Sequence, residues 1–275
     1  MWKISKRHCV FASLLYVMSL PLFADEKRLV FCADADNLPL SNQKREGYEN
    51  KLADLIANDL KADAEYVWVG HRRGGAVKLL RERECNVILG LPHLFPGVLT
   101  SEPYYVSSYY FVTNKHTTSP ALNLDDERLK RYRIGLEAIG KDGANTPVAR
   151  SISIRGLGSH VFGYILADIK EGKYLTEAMI DDVEKRKIDV ALLWGPYAGY
   201  FSQHKSDVEI TPILSDARQP DIPFIYGISI ATRKEDVALM VKINQTLIEK
   251  KDEIGKLLQT YAVPKTKTNE VPLNS

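Results

Sequence analysis

The 275 residues are 45% hydrophobic and 26% charged, an ordinary globular composition that excludes a disordered or fibrous chain and allows one large domain or two medium ones. The formal charge of +2 belongs to the first residues, because Lys3, Lys6 and Arg7 are the only charged side chains before Asp25; +2 less these three gives −1 for the remainder. A near-neutral chain of this kind gives no support for nucleic-acid binding.

After the three basic residues comes an apolar stretch from Cys9 to Leu20, then Pro21-Leu22-Phe23-Ala24. That order reads as a secretory signal peptide over 1–24, cleaved after Ala24. A dozen apolar residues fall short of the roughly 20 needed to span a bilayer. No later stretch reaches that length, so the mature chain is expected to be exported to the periplasm and not embedded in a membrane. Cys32 and Cys85 remain after cleavage, and an oxidising compartment invites a disulfide between them. They fall on neighbouring strands of a simple parallel sheet, and closing that loop is worth about 4 kcal/mol in the chain-entropy account. Two buried free thiols are the alternative.

Leu29–Ala33 has the apolar content of a strand, followed by a polar loop over 34–47. Tyr48, Leu52, Leu55, Ile56 and Leu60 repeat at helical spacing. Residues 64–69 return to a strand, Ala76–Arg83 forms a short helix and Cys85–Leu89 another strand. This β-α-β-α-β unit implies a parallel sheet. Tyr104–Thr113 is a long aromatic strand. Ile134–Leu136 starts a second set, with a Gly-rich turn at 140–143, a helix from Pro147, an amphipathic helix over 175–186 and the apolar strand Ile188–Trp194. Pro223–Thr232 is a second long strand. A final helix over 236–260 places Met240, Ile243, Leu247, Ile254, Leu257 and Tyr261 on one stripe. Two α/β units separated by two long strands suggest an inserted domain. Residues 25–112 and 223–264 form domain 1, 113–222 form domain 2, and 265–275 form a flexible tail; such a molecule has a cleft and a hinge.

Several stretches then narrow the reading: CADADNLPLSN followed by GYEN, then HRRG, ECNVILGLP, TSEPYYVSSYYFV, KDGANTP and IDVALLWGPYAGYF. In that order they resemble the solute-binding-like J-type accessory proteins of pyrroloquinoline-quinone-dependent methanol dehydrogenase systems, over essentially the whole mature chain. Tyr48 stands where Phe is usual, and Ser101-Glu102 where Thr-Arg often precedes Pro-Tyr-Tyr. The resemblance implies an α/β type II periplasmic binding protein-like fold of two domains. It also implies a non-catalytic periplasmic factor that binds a calcium- or lanthanide-dependent methanol dehydrogenase and supports its maturation or activation. No cofactor or metal of its own is expected. A receptor feeding an ABC transporter, with an unidentified small molecule in the cleft, is the alternative.

Amino-acid binders of this fold commonly hold the ligand carboxylate with an Arg and its ammonium with an Asp, since burying either charge unpaired is costly. Here the stretch GLPHLFPGVLTSEPYY, from Gly90, contains no Arg, and the Asp position falls at Trp194-Gly195. The zwitterion clamp is absent. Trp194 offers an apolar face with one N–H donor to a flat ligand or a partner protein, or else it packs in the core. Tyr197 and Tyr200 face the same choice. Asp34, Asn37 and Asn42 border the expected cleft, though turn formation alone explains them. Arg72 and Arg73, which follow the second strand, either face the cleft or lie solvated at the surface; Gly90, Pro92 and Tyr104 complete the first-domain candidates. Asn145 and Thr146 either present a helix N-terminus to a ligand or cap that helix ahead of Pro147. Hydrolase, phosphate-loop and metalloprotease motifs are absent, and His71, His93, His116, His160 and His204 are scattered. Glu49 and Glu102 are the only acids weighed for catalysis, with helix capping the alternative for Glu49.

Overall fold

The computed structural model describes residues 28–70, 75–117, 123–137, 146–165 and 173–266. The leader, Arg72, Arg73, the Gly-rich turn at 140–143, Asn145 and the tail from 267 lie outside the described residues.

The first part of the chain forms β1 (Arg28–Asp34), a small hairpin of β2 (Asp36–Asn37) and β3 (Ser41–Asn42), α1 (Tyr48–Asp59), β4 (Asp63–Val69), α2 (Gly75–Arg81) and β5 (Val87–Pro92). β1 lies between β4 and β5 and pairs in parallel with both, the outcome expected of helical crossovers. The apolar face of α1, with Leu52, Ala53 and Ile56, packs on Leu29, Phe31 and Val87. Cys85 sits two residues before β5 rather than opening it, and it is bonded to Cys32 with 5.6 Å between the Cα atoms. Export and strand adjacency made that pairing legible.

The rest continues with β6 (Leu99–Thr100), β7 (Tyr105–Asn114), β8 (Ile134–Glu137), α3 (Pro147–Ile154), β9 (Val161–Tyr164), α4 (Leu175–Glu184), β10 (Val190–Trp194), α5 (Gly195–Ser202), β11 (Val208–Ile213), β12 (Ile225–Thr232), α6 (Val237–Glu249) and α7 (Lys251–Thr260). All the larger strands join one mixed sheet in the order β4-β1-β5-β12-β7-β10-β8-β9, with β6 on β12 and β11 on β7. The fold is α/β with a curled sheet. β7 changes partners along its length: Tyr105–Ser108 pair with β12, whereas Tyr109–Thr113 pair with β10. One strand therefore serves two half-sheets, each with its own core. Phe111, Ile134, Ile152 and Phe224 belong to one core of the second half; Met179, Ile180, Val183 and Leu193 belong to another beneath α4.

One segment gains an element and one expectation changes. The segment after Trp194 is helix α5, begun by Gly195 with Pro196 in its first turn, a position where a missing N–H costs nothing. The single final helix is two, because Lys250 leaves helical geometry at φ −100°, ψ 14°. The apolar stripe nevertheless holds across the break, with Met240, Ile243, Leu247 and Ile254 buried.

Candidate binding cleft

α1 begins without a side-chain cap from its extended N-cap Gly47. Instead Asn50, on the first turn, accepts hydrogen bonds from the N–H groups of Gly47 and Asn42, both at 3.1 Å. This frees the neighbouring Glu49 from capping. Its side chain turns inward: the residue is 7% exposed, and carboxyl Oε1 is buried with no hydrogen-bond partner. Gly90 makes room for it, at φ +78°, and any Cβ there would collide with Glu49 Oε1. Only glycine meets both demands without strain. Burial first, then the charge of Asp34, raises the Glu49 carboxyl from 4.5 to about 8.

Tyrosines surround this acid. Tyr48 is fully buried, and its hydroxyl lies 2.8 Å from that of Tyr105. Burial, with the Glu49 charge adding, pushes the phenols of Tyr104 and Tyr105 well above their usual range. The rings run on as a belt. Tyr104 meets Tyr105 at 5.0 Å, Tyr105 meets Tyr48 at 6.1 Å, Tyr48 meets Tyr261 at 5.9 Å, and Tyr261 stacks on Tyr200 at 5.9 Å. Aromatic contacts of this kind contribute about 0.5–1.5 kcal/mol each beyond burial.

One hydrogen bond reaches from the second half-sheet to the first: the Tyr197 hydroxyl on α5 donates to Asn37 Oδ1 at 2.8 Å. Trp194 itself stands edge-on to Tyr109 at 5.2 Å and to Tyr226 at 5.9 Å. Gly195 lets α5 approach β7 closely, because a Cβ would collide with Ser107 Oγ and lie 3.0 Å from the Tyr110 ring and 3.1 Å from the Ser108 carbonyl. Gly195→Ala is expected to destabilise the fold by about 1–3 kcal/mol, as overpacking does, measured by urea unfolding. Tyr197→Phe is expected to cost only about 1 kcal/mol, the worth of one hydrogen bond, while increasing hydrogen exchange in α5.

The structure thus brings Asp34, Gly90 and Tyr104 to Glu49, while Asn37 meets Tyr197, Trp194 packs with Tyr109 and Tyr226 and Gly195 lies against Ser107. Asp34 accepts from the N–H of Asp36 at 3.1 Å, a turn contact. Asn42 is 5% exposed and exchanges two 2.8 Å bonds with Glu46, which is the turn reading. Pro92 ends β5, with its carbonyl accepting from Phe95. Thr146 caps α3 by accepting from Ala149 N–H at 3.3 Å. Tyr200 packs against Phe201 and Tyr261. Glu102 is exposed on the surface, where its N–H binds Asn244. His93 serves structure, with Nδ1 at 3.0 Å from the Ser101 carbonyl and 3.2 Å from Ser229 Oγ. Of the two acids singled out, Glu49 is buried rather than set at the surface, where an acid in a first helical turn ordinarily favours the helix dipole. Among the described residues no group of acids, histidines and cysteines could hold a metal ion, and no helix is long and apolar enough to cross a membrane.

No protein-family model matches the chain. Individual proteins do. The chain is 28% identical to protein MoxJ of Methylorubrum extorquens over 257 residues, covering 87% of this chain and 82% of that one. With MoxJ of Paracoccus denitrificans it is 24% identical over 274 residues, 93% of this chain and 95% of that one. The crystal structure of the periplasmic binding protein XoxJ from Methylobacterium extorquens AM1 matches with TM-score 0.68 and 29% identity, covering 87% of this chain and 99% of the other. MxaJ from Methlophaga aminisulfidivorans gives TM-score 0.75 at 24% identity over 86% of this chain and 99% of the other. An ancestral cationic amino acid solute-binding protein shares the fold at TM-score 0.65 and 17% identity, covering 86% of this chain and 95% of the other. The chain is accordingly a homologue of the MoxJ proteins, with MxaJ and XoxJ as structural neighbours, built on the type II solute-binding fold.

Proposed function

We propose that this chain is a non-catalytic periplasmic accessory factor that supports maturation, activation or assembly of a pyrroloquinoline-quinone-dependent methanol dehydrogenase by binding that enzyme. The observation that carries the reading is the match to MoxJ and XoxJ along nearly the whole described chain, in agreement with the ordered motifs that resemble J-type accessory proteins. A cleft bridged by the chain's own Tyr197, through its hydrogen bond to Asn37, supports it further. So does the lack of the paired Arg and Asp at the positions where amino-acid receptors of this fold place them. In this reading residues 1–24 direct export, and residues 25–112 with 223–264 form one lobe and 113–222 the other.

The test is a pull-down with tagged mature protein from the periplasm of alcohol-grown cells, with mass spectrometry of what co-elutes. Recovery of the quinoprotein dehydrogenase is expected. Normal dehydrogenase activity and metal loading in a strain lacking this protein would overturn the reading. The transporter-receptor alternative draws on the fold shared with an arginine-binding protein that holds arginine, at TM-score 0.58 and 18% identity. It predicts co-elution with a permease instead.

A further inference from the structure

The parallel strands β8 and β10 end at Glu137 and Trp194 and begin at Ile134 and Val190 at the opposite pole of the second half-sheet, about 13 Å away along a five-residue strand. The turns at that far pole are basic. The 3-10 turn Glu127–Arg131 carries Lys130 and Arg131 there, with Arg133 just after it, and the end of α4 supplies the consecutive Lys185, Arg186 and Lys187. All six are exposed.

The pole is fixed by its own contacts. Arg133 Nη2 donates to the Arg186 carbonyl at 2.8 Å, while Asp189 Oδ2 accepts from the Arg133 N–H at 2.7 Å and from its Nε at 3.0 Å. The two basic segments are therefore held against one another before any partner arrives, which lowers the ordering cost of association.

Charge decides what fits. Lys130 pairs with Glu127, Arg133 with Asp189 and Lys187 with Asp182; Lys185 shares Asp181 with Lys173 and Lys205. Arg131 and Arg186 form no ion pair with a described residue. Asp207, held below its usual range first by His116 and Ser206, feels Arg186 more weakly. The pole thus presents two guanidiniums without a carboxylate of their own, in a chain whose charge beyond residue 24 is −1. Guanidinium planes recognise carboxylates as bidentate forks, so the matching chemistry is an acidic surface. We propose that this pole is where the chain docks the methanol dehydrogenase, against an acidic face of that enzyme; the inference rests on the function proposed above and adds the surface to it.

The pattern suits a protein better than an anionic membrane. Fixed acids alternate with the cations, which sets a register for a patterned partner and opposes a uniformly negative one. Among the described residues, no exposed large apolar side chain falls within 127–133 or 181–189, so the pole has nothing to insert below lipid headgroups. Its place at the start of the strands also leaves the cleft at their other end uncovered.

The experiment compares tagged mature wild type, the double variant Arg131→Glu with Arg186→Glu, and Lys242→Glu on the exposed side of α6 as a charge reversal elsewhere. Each captures protein from the periplasm of alcohol-grown cells at about 50 mM and about 300 mM sodium chloride, between which the Debye length falls from roughly 14 to roughly 6 Å. Mass spectrometry identifies and quantifies the dehydrogenase. Wild type and Lys242→Glu are expected to capture it equally at low salt and at least tenfold less at high salt, and the double variant at least tenfold less at low salt. Neither arginine is ion-paired, so the double variant should fold, as circular dichroism would check; if it does not, Arg131→Gln with Arg186→Gln takes its place, with an intermediate loss expected. Equal capture by wild type and the double variant overturns the docking surface and leaves the dehydrogenase reading standing. No capture by wild type at either salt overturns that reading and the surface with it. If the reversal abolishes only sedimentation with phosphatidylglycerol vesicles, the pole is a membrane contact and the proposal fails.

Discussion

Arg155→Met is expected to destabilise the protein by about 3–5 kcal/mol, the cost of leaving a buried partner charge uncompensated. The Arg155 and Asp216 side chains are 4% and 0% exposed, with 2.6 Å between Nη2 and Oδ1. A second bond at 2.8 Å, from Nη1 to Oδ2, makes the contact a fork. Asp216 also accepts from Ser151 Oγ at 2.5 Å, from Gln219 Nε2 at 3.1 Å and from the Arg218 N–H at 2.9 Å. Arg155, foremost among these donors, holds its carboxyl far below the usual carboxylate range. The stabilisation from a lowered carboxylate is present above the unfolded pKa of about 4 and is lost as pH falls through the folded value. Wild type should therefore lose stability steeply only in strong acid. The Met variant should begin from a lower stability at neutral pH and lose much less on acidification. Replacing both partners, Arg155→Met with Asp216→Leu, should recover only part of the loss: no lone charge remains, but Ser151, Gln219 and the Arg218 N–H lose the acceptor they share. Urea unfolding at several pH values reads all three, and a single variant as stable as wild type would show that the pair contributes nothing. The contact matters for the site because Arg155 follows the last turn of α3, whose first turn, capped by Thr146, borders a cavity of about 190 Å³ lined also by Trp194 and Tyr197.

The sheet was legible where local pattern and tertiary outcome agree. β1, α1 and β4 carry apolar residues at the strand or helix period that their burial requires, and the Cys32–Cys85 bond followed from compartment and topology. β11 was missed. It carries Pro212, which argues against a strand, yet it pairs with β7 alone, and a sheet edge is where a strand tolerates proline. α5 was missed for a related reason: GPYAGYFS has two glycines and a proline and no clear amphipathic stripe, since the helix packs on β7, β10 and β11 on one side and on α4 on another. The break at Lys250 has no glycine or proline to announce it. The place of Trp194 at the end of the apolar strand β10 was legible in its run of Val, Ala and Leu. Glu49 stood out only as an acid with helix capping as its alternative; its burial depends on Gly90, Tyr104 and Tyr105 from distant segments.

That dependence makes Glu49→Gln the more telling substitution for the cleft. Its carboxyl is raised from 4.5 to about 8 by burial and by Asp34, so the folded protein holds a proton there that the unfolded chain releases. Stability then falls as pH rises, because between roughly 4.5 and 8 the native state binds more protons than the unfolded state. The contribution is fully present below the unfolded value and gone above the folded one. At about 1.4 kcal/mol per unit, a buried group shifted this far should remove about 2–4 kcal/mol between pH 5 and pH 9. Few neighbours compete in that window: the tyrosines around Glu49 titrate above it, and Asp181, held at about 2 by Lys173 and Lys205 against the effect of burial, titrates below it. Glutamine keeps the shape of the protonated acid and cannot ionise. The variant should match wild type at pH 5, exceed it by those few kcal/mol at pH 9 and show a nearly flat profile between. Parallel profiles for the two proteins would mean that Glu49 is already ionised in the fold. The consequence reaches the bridge between the half-sheets. An ionised Glu49 would place a second negative charge beside Asp34 and against the phenols of Tyr104 and Tyr105, so in wild type alone hydrogen exchange around Asn37 and Tyr197 should rise across the same pH window.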